Sequence, residues 1–183
     1  TLLARGTGEN PYELKAAMQA IMMEKVGIFR NGADLQAAVD ELTTLLRRSR
    51  NLAVRSKAPH ANPELVEAIR LPRMLKLALC VAQGALARTE SRGAHSREDF
   101  PARNDRDWLK RTLATWDPGN EDSPTLSYES LDILKMELPP GFRGYGNDNT
   151  IPHPDTAVRV EQITKLKADN PTFDRFEMQK ALM

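Results

Sequence analysis

Three segments in the first half of the chain carry apolar residues at three- and four-residue steps, the spacing that gives a helix a single apolar face. They cover residues 14–29, 35–53 and 63–91. Two of them follow an Asn-Pro pair, at 10–11 and 62–63, in which asparagine caps the helix and proline suits its first position. Because the connections are short, the pattern predicts an up-down-up bundle of three helices.

Local features set the expected helix ends. The Asn-Gly pair at 31–32 should end the first helix. Pro72 lies inside the third helix and should kink or interrupt it, because its ring clashes with the carbonyl four residues earlier. The arginines at 47, 48 and 50 stand near the C-terminal end of the second helix, where positive charge favours the helix dipole. Since no aromatic residue is interleaved, a nucleic-acid patch is the poorer interpretation of this cluster.

The bulk composition favours a helical, intracellular chain. Aromatic residues make up 5%, and Leu, Ala and Met carry the apolar load, which favours helices over sheets. The net charge of +1 is not the excess typical of a nucleic-acid binder. A single cysteine and the lack of a signal peptide fit a reducing, cytoplasmic compartment. The apolar run at 75–82 is too short for a membrane span. The start at Thr1 is consistent with a piece of a longer protein.

The second half of the chain has a different character. Alternating residues at 112–116 and 125–128 flank a turn-rich loop, which predicts a two-stranded hairpin packed on the bundle. A loop at 139–146 leads to a polar helix at about 155–168, and an Asn-Pro pair at 170–171 opens a last short helix. The predicted fold is mainly α. It comprises the bundle over 1–91, a charged turn and hairpin over 92–138, and a loop with a partly helical tail over 139–183.

The sequence holds no motif for catalysis. His60, His95 and His153 have no neighbour at metal-ligand spacing, and a single cysteine argues against a zinc site. Cys80 lies among apolar residues of the third helix, so it is interpreted as an inert core residue. The glycines at 141, 144 and 146 follow two prolines, which favours a plain turn over a phosphate loop. No catalytic, cofactor-binding or metal-ligating residue is therefore assigned.

A cluster of charged residues at 87–99 follows the third helix's apolar run at 75–82. One interpretation is a helix that ends near Ser91, with Gly93 as its left-handed terminating residue and the charges in water. The other is a docking edge against another domain, since arginine makes bidentate contacts with carboxylates and histidine both donates and accepts hydrogen bonds. The docking residues would then be Glu90, Ser91, Arg92, Gly93, His95 and Arg97.

Two separated motifs decide between these interpretations. The first is IMMEKVGIFR at 21–30, and the second is TESRGAH at 89–95, followed by REDFP at 97–101 and NDRDWLKRTL at 104–113. In this order they closely resemble the C-terminal helical domain of the flavoprotein subunits of fumarate reductase and succinate dehydrogenase. The resemblance covers residues 11–116 well and extends weakly through the hairpin.

The resemblance implies a helical domain packed on the flavin-binding and capping domains of a larger subunit. Such a subunit interconverts succinate and fumarate by hydride transfer at FAD and passes electrons to an iron–sulfur subunit, peripheral to the inner membrane through its partners. The family's catalytic and flavin-binding residues lie upstream, so none is carried over and the chain alone should bind no flavin. The turn at 91–95 is expected to contact the flavin-bearing body. A direct influence of Arg92 or His95 on the flavin is the less favoured alternative.

Two other functions stay open at this point. The chain could be an independent helical interaction module that binds a partner through residues 90–99 or its tail. It could also be the same domain of an aspartate oxidase-like flavoenzyme, because that family and the adenylylsulfate reductases share parts of the pattern.

Overall fold

The computed structural model of the protein describes residues 1–131, 156–174 and 177. The elements in chain order are α1 (Pro11–Lys25), β1 (Phe29–Arg30), α2 (Gly32–Arg48), a 3-10 turn (Ser49–Asn51), α3 (Pro63–Ala87), β2 (Ser96–Arg97), α4 (Asp105–Trp108), β3 (Lys110–Thr115), β4 (Thr125–Ser130) and α5 (Thr156–Asp169). The predicted mainly α fold is confirmed, and α5 lies within a residue of its predicted bounds. The predicted loop at 139–146 and most of the last short helix lie outside the described residues.

Asparagine side chains start all three long helices. Asn10 accepts a hydrogen bond from the backbone N–H of Tyr12, and Asn62 accepts one from that of Leu65, with proline following each cap as predicted. Asn31 does the same for α2, accepting from the N–H of Asp34 at 2.9 Å. The prediction that Asn31 ends the first helix is therefore wrong. α1 already ends at Lys25, and asparagine serves the following helix because its side chain reaches that helix's free N–H groups.

The third helix differs from its prediction at two points. α3 runs from Pro63 to Ala87 and is not interrupted at Pro72, because Leu71 and Leu75 on either side are fully buried and hold the segment against the core. The other predicted effect of Pro72, a kink, stays a prediction. The helix also ends earlier than Ser91, at Arg88, whose backbone is extended. Gly93 does have a left-handed φ of 61°, but it serves a later turn and does not terminate the helix.

The core lies where α1, α2 and α3 pack together, each against the other two. Its fully buried side chains are mostly leucines, and their helical spacing matches the predicted stripes; they include Leu14, Leu35, Leu42, Leu71, Leu75 and Leu79. Phe29, at the end of the first predicted stripe, lies beyond α1 and is 75% exposed. The up-down-up order of the helices stays a prediction.

The hairpin forms and packs on α3. β3 and β4 pair antiparallel, with Lys110 opposite Ser130 and Thr115 opposite Thr125. The indole N–H of Trp116, just after β3, donates to the sulfur of Cys80 on α3 at 3.3 Å. The loop of the hairpin is tied to the end of α2, because Asp122 accepts from Arg47 at 2.9 Å and from Arg50 at 2.6 Å.

Candidate functional site

The residues between α3 and the hairpin form a compact structure that we call the charged corner, residues 88–105. Its centre is a tight turn in which the backbones of Arg92 and His95 exchange hydrogen bonds of 2.8 and 3.0 Å. Gly93 occupies the left-handed position of that turn, where other residues are strained. After the turn, β2 pairs in parallel with β1, placing Arg97 opposite Arg30. The charged corner is thereby tied to the connection between α1 and α2.

Glu90 is the centre of the corner's ion pairs and is 0% exposed. One carboxylate oxygen accepts from Arg88 at 2.6 Å and from Arg92 at 2.8 Å. The other accepts from Arg92 at 3.0 Å and from the backbone N–H of Asn104 at 2.8 Å. Burial of a carboxylate is tolerated because the guanidinium groups and the amide replace its hydration.

A second buried carboxylate, Asp105, extends this network. It is 1% exposed and accepts from Arg92 at 2.6 Å and from Arg103 at 2.7 and 2.8 Å. Arg92 therefore bridges the two buried acids, Glu90 and Asp105. Such charge-assisted contacts fix geometry as well as lowering energy.

Arg97 and Asp99 connect the ends of two long helices. Arg97, 2% exposed, donates from one terminal nitrogen to the carbonyls of Ala85, Leu86 and Arg88 at the end of α3, at 3.0, 3.0 and 3.1 Å. Its remaining nitrogens bind the carboxylate of Asp99, both at 2.7 Å.

Asp99 in turn accepts from the backbone N–H of Gly32, at the start of α2, at 2.9 Å. A cation thus meets the negative end of one helix dipole and an anion meets the positive end of another. The Arg97 guanidinium lowers the pKa of Asp99 to about 2. Ser91 supports the pair, because its hydroxyl oxygen accepts from the backbone N–H of Arg97 at 2.8 Å.

His95 contacts Arg30 of β1 and Arg88, the residue that follows α3. The Nδ1 of His95 lies 2.7 Å from a terminal nitrogen of Arg30, and its Nε2 lies 3.3 Å from the carbonyl oxygen of Arg88. These partners assign a neutral ring that accepts at Nδ1 and donates at Nε2. Burial lowers the pKa of His95, and the positive charges of Arg30, Arg97 and Arg88 lower it further.

The structure places the six predicted docking residues in two groups. Glu90, Ser91 and Arg97 are buried within the chain, so they support the corner from inside. Arg92 and His95 are partly exposed and Gly93 is exposed, so these three lie at the surface. That the surface group meets another domain stays a prediction.

Sequence reasoning missed several residues that form or contact the charged corner. Asp105 and Arg103 are in or beside a quoted motif, but nothing in the spacing indicates that Asp105 is buried. Arg30 also ends a quoted motif, yet its contact with His95 joins residues far apart in sequence, for which a single sequence carries no signal. The sequence places Arg88 only within a cluster of charged residues, whereas in the structure it donates to Glu90 and to the backbone of the hairpin strand β3.

The side chains of the charged corner have a structural role. In the described part of the chain no three His, Cys, Asp or Glu side chains are grouped as metal ligands. No helix within 1–131 or 156–174 has the length and apolarity to span a membrane. The charged groups bind one another and the helix ends, which suits a rigid surface feature.

Known proteins match this chain over most of its length. A family model described as the fumarate reductase flavoprotein C-terminal region matches residues 15–145. The fumarate reductase flavoprotein subunit of Helicobacter pylori is 52% identical over 178 residues, which is 96% of this chain and 25% of that protein. The succinate dehydrogenase flavoprotein subunit of Rickettsia conorii is 38% identical over 136 residues, 73% of this chain and 23% of that protein.

A solved structure, an E. coli quinol fumarate reductase, is similar at 34% identity and a TM-score of 0.70, covering 80% of this chain and 25% of that one. This chain spans about a quarter of the length of these relatives. The similarity extends beyond residues 11–116, where the motifs are clearest, into the hairpin. The chain belongs to the family of fumarate reductase and succinate dehydrogenase flavoprotein C-terminal domains.

Proposed function

We propose that this chain is the C-terminal domain of a flavoprotein subunit that interconverts succinate and fumarate, and that it braces the flavin-bearing body of that subunit. In this proposal FAD, the substrate site and the hydride transfer belong to the upstream domains. Electrons pass to an iron–sulfur subunit, and the assembly is held at the inner membrane by other subunits. The relatives' names favour this function over an independent interaction module or an aspartate oxidase-like enzyme.

One observation supports docking at the charged corner in particular. Beside the internally paired charges lies an exposed apolar pair, Ile28 at 62% and Phe29 at 75% exposure. Phe29 lies on β1 directly opposite Ser96 of the corner, so the apolar pair and the corner form one continuous surface. Apolar patches with polar surroundings are typical of surfaces that another protein covers.

A chimaera tests this proposal. Residues 1–183 replace the matching quarter of the Helicobacter pylori subunit, and flavin content, melting temperature and fumarate reduction are measured. We expect the chimaera to hold flavin and to reduce fumarate, whereas the 183-residue chain alone should be colourless and inactive. A body that retains flavin and its melting temperature equally well with this chain deleted would contradict the bracing role.

A pair of variants locates the contact. Phe29→Ser should lower the melting temperature and flavin retention of the chimaera, because it removes apolar surface from the proposed interface. Leu113→Ser is the matched control, since Leu113 is also exposed, at 45%, but lies on the hairpin. Equal effects of the two variants would place the interface elsewhere.

A further inference from the structure

A groove lies between the second half of α3 and the strand β3, and His95 is among the residues that line it. It is open to solvent and has a volume of about 350 Å³. Arg30, Arg88, His95 and Thr112 supply its polar groups. Val81, Ala85 and Ala114 supply apolar surface beside them. The groove therefore has a positive end and an apolar wall.

The positive charge of this groove is incompletely neutralised. Arg88 is paired with Glu90, and the nearby Arg97 is paired with Asp99. Arg30, in contrast, has no carboxylate within ion-pair distance among residues 1–131, 156–174 and 177, and its partners are neutral. Burial lowers the pKa of Arg30, and the charge of Arg97 lowers it further.

Arg30 also keeps donors available. Its Nε and one terminal nitrogen donate to the carbonyls of Val26 and Gly27, and its other terminal nitrogen contacts His95. Each terminal nitrogen of a guanidinium carries two N–H groups, so one N–H on each stays without a described partner. A guanidinium that has free N–H groups on its terminal nitrogens can bind a carboxylate.

We propose that this groove is a carboxylate-binding site, in which Arg30, beside His95, receives the side chain of an aspartate or glutamate from the body on which the domain docks. The short apolar stem of such a side chain fits against Val81 and Ala85. A protein side chain suits the groove better than a free metabolite, because small-molecule sites usually enclose most of their ligand and this groove is open. The source of the carboxylate, the flavin-bearing body, rests on the proposed docking function. The preference of the groove for a carboxylate does not.

The prediction that Cys80 is a core residue is wrong, because it is partly exposed and its free thiol lines the same groove. Cys80 therefore provides a reporter. Iodoacetate and iodoacetamide alkylate it in the same way: the thiolate sulfur attacks the CH₂ carbon, the S–C bond forms, the C–I bond breaks and iodide leaves. Only iodoacetate carries a carboxylate. In the 183-residue chain, we expect the iodoacetate-to-iodoacetamide rate ratio at Cys80 to exceed that of glutathione by about fivefold, through attraction to Arg30. A ratio at or below that of glutathione would overturn the site.

Two variants identify the cation responsible. Arg30→Gln should return the rate ratio to that of glutathione. Lys76→Gln is the control, since Lys76 stacks 4.6 Å above the ring of Trp116, whose N–H binds Cys80, but does not line the groove. A larger loss of preference in the Lys76 variant than in the Arg30 variant would refute the assignment to Arg30.

A second measurement needs no substitution. In NMR titrations at equal ionic strength, replacing chloride with acetate should raise the pKa of His95, because a bound carboxylate offsets the surrounding charges of Arg30, Arg88 and Arg97. His60 is the internal control, because it lies in the connection between α2 and α3 and does not line the groove. Equal responses of the two histidines would exclude a carboxylate site beside His95.

The chimaera then tests the source of the carboxylate. When the body is docked, its side chain should fill the groove and slow the alkylation of Cys80 by both reagents at least tenfold. If the chimaera holds flavin but its Cys80 is alkylated as fast as in the isolated chain, the body does not supply the carboxylate. If instead the chimaera fails to hold flavin while the isolated chain prefers iodoacetate, the docking function fails and the carboxylate preference of the groove is supported.

Discussion

Replacing Glu90 with glutamine should cost the protein several kilocalories per mole of folding stability. The side chain is 0% exposed, and its two oxygens accept from Arg88, Arg92 and the backbone of Asn104. Glutamine has nearly the same shape but is neutral, and its amide nitrogen faces donors that it cannot accept from. Breaking a buried pair in this way typically costs about 3–5 kcal/mol. Since a whole domain is stable by only about 5–15 kcal/mol, this is a large share of the total.

Urea and thermal unfolding followed by circular dichroism measure this cost. For a chain of this size, about 3 kcal/mol corresponds to a fall in melting temperature of roughly 6–12 °C. Glu129→Gln is the matched control, because Glu129 pairs with Arg111 on the hairpin at 3.1 Å but the two side chains are 54% and 64% exposed. The control should change stability by less than about 1 kcal/mol. If Glu90→Gln cost no more than Glu129→Gln, the buried network would not be holding the corner.

Three further predictions concern the corner and its link to α2. The folded-state pKa of Asp99, about 2, is below its unfolded value of about 3.9, so its pair with Arg97 contributes stability above about pH 4 and loses it as the pH falls towards 2. Because the Asp99 side chain is 35% exposed, Asp99→Asn should lower the free energy of unfolding by only ~1 kcal/mol at pH 6, measured by urea unfolding, and by much less near pH 2. A loss of stability that does not depend on pH would contradict this. Gly32→Ala places a Cβ 3.0 Å from an Asp99 oxygen and 3.4 Å from Arg97, so it should destabilise by roughly 1–2 kcal/mol despite the better helix propensity of alanine. Gly119→Ala, with open space around it, should be neutral in the same assay, and equal melting temperatures for the two variants would rule out the contact. In Gly93→Ala the added Cβ contacts no neighbour, but the φ of 61° should lower the free energy of unfolding by about 1 kcal/mol. An unchanged urea midpoint would show that the turn tolerates a side chain.

The helical part of the fold was predictable because its signals are local. Asparagine followed by proline marks the start of α1 and of α3, and the leucine spacing identifies the faces that become the core. The errors are at helix ends. Asn31 has the same capping chemistry for the helix before it and the helix after it, so only the position of free N–H groups in three dimensions decides between them. Pro72 stays helical because tertiary burial outweighs the loss of one hydrogen bond.

The charged corner was predictable in location but not in internal arrangement. The density of charge after α3 indicated a special surface, and the motif indicated its family. Neither indicates that Glu90 and Arg97 are buried, because burial of a charge depends on partners contributed by distant segments. Gly32 of α2 binds Asp99, and Arg30 of β1 binds His95, contacts that arise only when the helices pack.

The tight turn at Arg92–His95 is held from within by backbone hydrogen bonds, by the parallel pairing of β2 with β1 and by the bridge from Arg92 to two buried acids. Its shape is therefore set before any partner arrives. A protein that binds here has little loop entropy to remove, so its association should resemble the fit of two rigid bodies, with only small backbone changes on this side.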